Sequence, residues 1–68
     1  MDEIAVRGES IRLGQLLKVA GVVDSGAEVK DVLAEGTVTV NGEVEERRGR
    51  QIRPGDVVAV GGREIRAT

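Results

Sequence analysis

The chain has 68 residues, enough for one small domain with a thin core, because a domain of this size buries only about 60% of the surface that its unfolded chain exposes. It contains no Cys, His, Phe, Tyr or Trp, which excludes disulfides, cysteine–histidine metal sites and histidine-based catalysis, and leaves Val, Leu, Ile and Ala to form the core. Ten basic and twelve acidic side chains give a net charge of −2, which argues against non-specific polyanion binding.

A short strand and an amphipathic helix are predicted first along the chain. Ile4 and Val6 alternate with other residue types, a strand pattern, and residues 8–10 (Gly-Glu-Ser) are typical of a turn. Helical spacing begins at Leu13, give or take about two residues, because Ile11 and Arg12 could still be extended. The apolar stripe of this helix consists of Leu13, Leu16, Leu17 and Ala20, with Val19 at its margin and Gly21 at its end.

A second helix, a strand and a tight turn are predicted without interruption over residues 25–42. Ser25 is a suitable N-cap, and Glu28 follows three residues later, as in a reciprocal capping box. Val29, Val32 and Leu33 then share one helical face, which Gly36 ends, and Val38 and Val40 alternate with threonines. Asn41-Gly42 predicts a type I′ hairpin turn, since that turn needs a positive φ at both central residues.

The remaining residues predict a run of short strands. Residues 43–46 form a return strand with one apolar residue, residues 47–51 a polar loop, and residues 54–56 (Pro-Gly-Asp) a turn. The apolar run 57–60 predicts a central, covered strand, and Gly61-Gly62 a hairpin leading into a last strand with Ile65 inward. The predicted fold class is α+β, in the order β-α-α-β-β-β-β, with two amphipathic helices packed on one face of a small curved antiparallel sheet.

No pattern in the sequence predicts catalysis. Its carboxylates do not fall in the apolar contexts that raise a pKa, so we interpret them as solvated surface acids. The glycines do not form a phosphate-binding P-loop pattern. We therefore expect no enzymatic activity, no metal, no cofactor and no small-molecule substrate.

The basic side chains carry the functional hypothesis. Gln15 and Lys18 lie on the polar face of the first helix with Arg12 on its flank, and Lys30 lies off the acidic side of the second helix. Three arginines, Arg47, Arg48 and Arg50, lie in the loop after the hairpin. If the helices pack side by side, these groups could form one basic face; otherwise they decorate the surface as ion pairs, with the loop arginines bonded to Glu43, Glu45 and Glu46.

Four motifs resemble the RNA-binding domain of the ribosomal protein S-four type, the αL motif. They are R-L-x-x-L-L at residues 12–17, S-x-x-E-V-K at 25–30, L-x-x-G-x-V-x-V-N-G at 33–42 and P-G-D-x-V at 54–58. The strings G-Q-L-L-K-V-A-G-V-V-D-S-G and V-N-G-E-V-E-x-R-R-G-R look more closely like the small stand-alone bacterial members. The resemblance implies one domain over residues 1–68 that binds structured RNA, commonly ribosomal or transfer RNA, through the two helices and the hairpin edge.

Several positions match the family's motif residue by residue. Arg12 matches its leading arginine, Ser25 and Lys30 the second-helix motif, and Asn41 the hairpin signature together with Gly36, Val38 and Gly42. Two positions depart from it, since Gly14 stands where an aspartate is usual and Gly26 where an arginine is usual. The arginine loop is a candidate to compensate for the missing basic group. The predicted RNA-binding residues are Arg12, Gln15, Lys18, Ser25, Lys30, Asn41, Arg47, Arg48 and Arg50.

The residue types indicate which kind of RNA and which partners to expect. Sequence-specific readers of single strands stack bases on aromatic rings, which this chain lacks, so contacts to phosphates and 2′-hydroxyls of a folded or double-stranded RNA are favoured. With no apolar run near 18 residues and no signal-peptide pattern, we expect a soluble, cytoplasmic protein without a membrane partner. We also expect a monomer, with the ribosome as a candidate partner.

Two other function classes stay open. The acidic net charge favours a protein-interaction or regulatory adaptor that keeps the fold with weak RNA affinity. An enzyme is a distant third. A contiguous basic face across Arg12, Lys18, Lys30 and the loop arginines would support RNA binding, whereas basic groups scattered evenly among acids would favour the adaptor.

Overall fold

Two short helices and seven strands follow one another in the computed structural model, which describes residues 2–68. The helices are α1 (Leu13–Val19) and α2 (Gly26–Ala34). The strands are β1 (Asp2–Ile4), β2 (Ile11–Arg12), β3 (Thr39–Val40), β4 (Glu43–Val44), β5 (Gln51–Ile52), β6 (Val57–Val60) and β7 (Arg63–Ala67).

The main sheet has five strands in the order β1-β7-β6-β3-β4, so β6 is central, as its apolar run predicts. Its pairs are antiparallel except β1–β7, which is parallel, with Asp2 opposite Ile65 and Ile4 opposite Ala67. The α+β class is confirmed, but the sheet is mixed rather than wholly antiparallel. Because β1 and β7 stand at opposite ends of the chain, no local turn signal could reveal their direction.

A second, two-stranded sheet was not predicted. β2 pairs antiparallel with β5, with Ile11 opposite Ile52 and Arg12 opposite Gln51. The residue pattern allows Ile11 and Arg12 to be extended, but it predicts a loop at Gln51. Strands of two residues are too short to show a period, so only the pairing itself identifies them.

One apolar core joins the helices to the sheet. Leu13, Leu16 and Leu17 of α1 are fully buried, whereas Val19 at the margin of the stripe is 54% exposed. Val29 and Leu33 contribute from α2, and Val32 packs at the edge of the core. The sheet supplies the rest of the core, with Val38 and Val23 from the connecting segments. Most of the apolar positions chosen from helical spacing are therefore buried, and Ala20 and Val32 are half-buried at the edge of the core.

The predicted boundaries of α2 and the hairpin turn are confirmed. The Ser25 hydroxyl accepts a hydrogen bond from the Glu28 backbone N–H at 3.3 Å, which is the forward half of a capping box. Asn41 has φ 52° and Gly42 has φ 87°, as a type I′ turn requires. Asn41 also ties this turn to the next one, because its Nδ2 donates to Asp56 Oδ1 at 3.0 Å and its Oδ1 accepts from Val57 N at 2.9 Å.

A Gly42→Val substitution should destabilise the fold by about 1–3 kcal/mol, because a β-branched residue is strained at positive φ. Gly49→Val is a matched control. A Cβ at either glycine meets nothing within 4 Å, but only Gly42 has positive φ. Thermal melts should show a clearly lower melting temperature for Gly42→Val than for Gly49→Val, and equal melting temperatures would contradict the strain argument.

Neither described helix combines the length and the apolar composition that crossing a bilayer requires.

Candidate nucleic-acid interface

The arginine loop, residues 47–50, is attached to the beginning of α1 by backbone hydrogen bonds. The first N–H groups of a helix have no partner within the helix, and the N-cap residue Arg12 makes no side-chain cap. The loop satisfies them instead, since Leu13 N donates to Arg50 O at 2.8 Å and Gly14 N donates to Arg48 O at 3.0 Å. This arrangement places the loop, and Arg48 in particular, beside the polar face of α1.

The attachment creates a groove between helix and loop, which we call the helix–loop groove. Its cavity volume is about 240 Å³. It is lined by Arg12, Gly14, Gln15, Lys18, Arg48 and Gly49. Four residues that the sequence analysis placed in the RNA site, three of them cationic, thus share one depression although Arg48 is distant from the others in the chain.

Two glycines lie next to Arg48, at distances where an added Cβ would be in ordinary van der Waals contact with it. A Cβ on Gly14 would lie 3.2 Å from Val29 Cγ1 and 3.5 Å from Arg48 Cβ, and a Cβ on Gly26 would lie 3.5 Å from Arg48 Nη2. The guanidinium of Arg48 therefore lies against the first residue of α2, where the family pattern usually has an arginine of its own. The departures at Gly14 and Gly26 and the presence of Arg48 are thus linked in space.

A second depression, the arginine groove, adjoins the first. It has a volume of about 450 Å³ and is lined by Arg47, Gly49, Arg50, Gln51 and Arg53. Gly49 lies on both grooves, so the two form a continuous surface. Together the two grooves are lined by six basic side chains, and no acidic side chain among residues 2–68 lines either groove.

Gln51 and Arg53, which line the arginine groove, are not among the predicted RNA-binding residues. The alternation of polar Gln51, apolar Ile52 and basic Arg53 could have identified them, because it is typical of a short strand with one buried residue. With Ile52 fully buried, its two neighbours point away from the core, to the side opposite Ile52. Arg53 Nη2 donates to Gln51 Oε1 at 3.3 Å, which joins the two side chains on that side.

The carboxylate of Glu45 holds two of the arginines that line the arginine groove. Its side chain is 9% exposed and forms ion pairs with Arg47 at 3.1 Å and with Arg50 at 2.9 Å. Hydrogen bonds from Arg47 and Arg50, in that order of effect, lower the pKa of Glu45 to about 2. The interpretation of the acids as solvated surface groups is therefore wrong for Glu45. Of the three glutamates considered as partners for the loop arginines, Glu45 is the one that forms ion pairs with them.

The three arginine side chains of the loop are accessible to different degrees. Arg47 is 78% exposed at its side chain despite its ion pair, and Arg50 is 36% exposed. Arg48 is also exposed. Arg47 and Arg50 are held by Glu45, and all three cations keep part of their surface open to a ligand, Arg50 the least.

Three of the predicted site residues lie outside both grooves. Ser25 caps α2, and Lys30 is an exposed residue of α2. The Asn41 amide donates a hydrogen bond to Asp56 in the 54–57 turn. Hydrogen bonds from the backbone N–H of Arg53 and then from Asn41 lower the pKa of Asp56. The sequence signal at Asn41 thus has a structural explanation in the hairpin, whereas Lys30 has no contact that relates it to the grooves.

Comparison with known protein families gives a match over nearly the whole chain. Residues 4–68 match the family model described as S4 domain. The "Probable ribosome maturation protein RlbA" of Bacillus subtilis is 48% identical over 61 residues, covering 90% of this chain and 86% of that protein. The "Putative RNA-binding protein YbcJ" of Escherichia coli is 40% identical over 55 residues, covering 81% of this chain and 79% of that protein.

The fold also matches a solved structure. The solution structure of YbcJ from E. coli, described as revealing an αL motif involved in RNA binding, superposes with a TM-score of 0.76 at 33% identity. The match covers 100% of this chain and 87% of the other. The αL resemblance seen in the sequence motifs is confirmed by this similarity.

Proposed function

This chain belongs to the S4 domain family, and from that premise we propose that it is a non-catalytic RNA-binding module that holds structured RNA against the helix–loop groove and the arginine groove. The observation that carries the proposal is the continuity of the two grooves through Gly49. A net charge of −2 does not oppose it, because binding depends on the local field and no acidic side chain among residues 2–68 lines the grooves.

The chemistry of the grooves favours recognition of an RNA backbone rather than of bases. The donors are guanidinium, ammonium and amide N–H groups, which suit phosphate oxygens and 2′-hydroxyls. Without aromatic rings the chain has no stacking platform of the kind that single-strand readers use. A folded or double-stranded RNA, with its phosphates in a fixed pattern, is the ligand that this surface fits best.

The similarity to a protein named as a probable ribosome maturation protein directs the choice of RNA. We propose ribosomal RNA first and transfer RNA second, with the ribosome or an assembly intermediate as the larger partner. A monomeric state and a cytoplasmic location stay predictions from the sequence.

RNA affinity should fall steeply with salt. Six cationic groups line the two grooves, and a footprint of roughly four to six phosphates should give a slope of log K against log [salt] of about −3 to −5. Fluorescence anisotropy with a labelled ribosomal RNA hairpin, between about 50 and 200 mM salt, measures this slope. The unstructured strand of the same composition should bind more weakly.

A flat affinity across that range, or no binding to ribosomal and transfer RNA at low salt, would contradict the proposal. That result would favour the adaptor, which the acidic net charge motivates. Equal affinity for the hairpin and the unstructured strand would instead contradict the preference for structured RNA.

A further inference from the structure

The Glu45 carboxylate accepts five hydrogen bonds from the residues that follow it, Glu46, Arg47 and Arg50. The backbone N–H groups of Glu46 and Arg47 donate to Oε2 at 3.1 and 3.2 Å. Arg47 Nε donates to Oε2 at 3.1 Å and Arg47 Nη2 to Oε1 at 3.2 Å, and Arg50 Nη1 donates to Oε1 at 2.9 Å. A single, nearly buried group thus fixes both the course of the loop and the direction of two arginines.

Sharing one carboxylate keeps two like charges side by side. Arg47 and Arg50 would repel each other in its absence, and each would sample many rotamers in solvent. A guanidinium has five N–H donors, and the bonds to Glu45 use two from Arg47 and one from Arg50. The remaining donors are available at the arginine groove, where Arg53 adds a third guanidinium.

We propose that Glu45 is a positioning residue, which holds Arg47 and Arg50 so that, with Arg53, they form a binding site for one backbone phosphate of the RNA. The inference rests on the proposed function and extends it to a defined subsite. Three arginines and one glutamate leave a local charge of about +2, which attracts a phosphodiester of charge −1. Because the arginines are already ordered, less conformational freedom is lost when the phosphate binds.

This proposal and simple electrostatics predict opposite effects of removing the Glu45 charge. Loss of an acid near a polyanion site should raise affinity if only net charge mattered. If Glu45 positions the arginines, Glu45→Gln should instead weaken RNA binding by roughly 5- to 10-fold and make the salt slope shallower by about one unit.

Glu46→Gln is the matched control. It removes the same charge from the next residue of the same loop, where the side chain is exposed. Its RNA affinity should equal or slightly exceed that of the wild-type protein. If Glu45→Gln is folded and binds RNA as tightly as Glu46→Gln, the positioning role is refuted.

A double-mutant comparison separates positioning from a general structural effect. In an Arg47→Ala/Arg50→Ala background, Glu45→Gln should cause no further loss of affinity, because the side chains through which it acts are gone. An equal loss in both backgrounds would mean that Glu45 acts through the fold and would overturn the proposal. Thermal melts of every variant show whether binding is measured on folded protein.

A second variant tests the subsite with Glu45 left in place. Arg47→Lys/Arg50→Lys keeps both charges but loses the planar fork that can engage a carboxylate and a phosphate together. We expect several-fold weaker RNA binding at unchanged net charge, and unchanged binding would contradict the subsite. If the wild-type protein binds no structured RNA, the proposed function itself fails; if it binds with the expected slope but these variants match it, only the subsite fails.

Discussion

Replacing Arg12, Lys18 and Arg48 together with alanine should weaken binding to structured RNA by roughly 100-fold while leaving the protein folded. These three cations line the helix–loop groove. If each phosphate contact contributes only about 1 kcal/mol, their joint loss removes about 3 kcal/mol, and about 1.4 kcal/mol corresponds to a factor of ten. All three residues are exposed, so each substitution should change stability by less than about 0.5 kcal/mol.

Anisotropy titrations at several salt concentrations measure both parts of this prediction. The salt slope should become shallower by about one unit for each phosphate contact removed, whatever the RNA sequence. An Arg7→Ala/Arg66→Ala variant is the control, since it removes two exposed cations that line neither groove. A similar loss of affinity in that control would mean that net charge, rather than the helix–loop groove, governs binding.

Lys30→Ala tests the boundary of the interface. The family motif places Lys30 in the site, whereas the structure places it outside both grooves. A loss of affinity comparable to that of Arg48→Ala would extend the interface along α2.

An Ile52→Ala variant should lose about 2–5 kcal/mol of folding free energy, the second large effect that we expect. Ile52 is fully buried and pairs with Ile11 in the two-stranded sheet that ends the arginine loop. A domain of 68 residues has a total stability of only about 3–10 kcal/mol. Much of the population should therefore be unfolded near physiological temperature.

Chemical denaturation of Ile52→Ala beside Val44→Ala checks this expectation. Val44, in β4, is 60% exposed, and its truncation should change stability by less than about 0.5 kcal/mol. Similar midpoints for the two variants would show that the β2–β5 sheet contributes little to folding. The arginine loop would then have to be held by its hydrogen bonds to α1 and to Glu45 alone.

Local patterns accounted for most of the fold. Leucines at helical spacing identified the buried face of α1, and a serine followed by a glutamate at the third position identified the start of α2. Asn-Gly and Gly-Gly fixed two hairpins, because few residues tolerate positive φ. Each of these features depends on residues within one or two turns of one another, which is why a single sequence reveals them.

The residues that line the two grooves were identified in part from the sequence. Lys18 of α1 and the arginines of the loop were identified separately. The meeting of Lys18 and Arg48 in the helix–loop groove depends on Leu13 and Gly14 donating to the carbonyls of Arg50 and Arg48. The residue types at those positions do not predict these hydrogen bonds, because backbone atoms form them. Glu45 looked like any other acid because its burial results from the loop folding over it.

The sequence by itself determined the helices, the turns, the apolar core positions and the resemblance to an RNA-binding family, because these follow from spacing and from residue chemistry. Only the tertiary structure decided the parallel β1–β7 pair, the β2–β5 sheet and the continuity of the grooves. The physical reason is that these features join segments distant in the chain through backbone hydrogen bonds and shared burial, neither of which leaves a periodic signal in the residues involved.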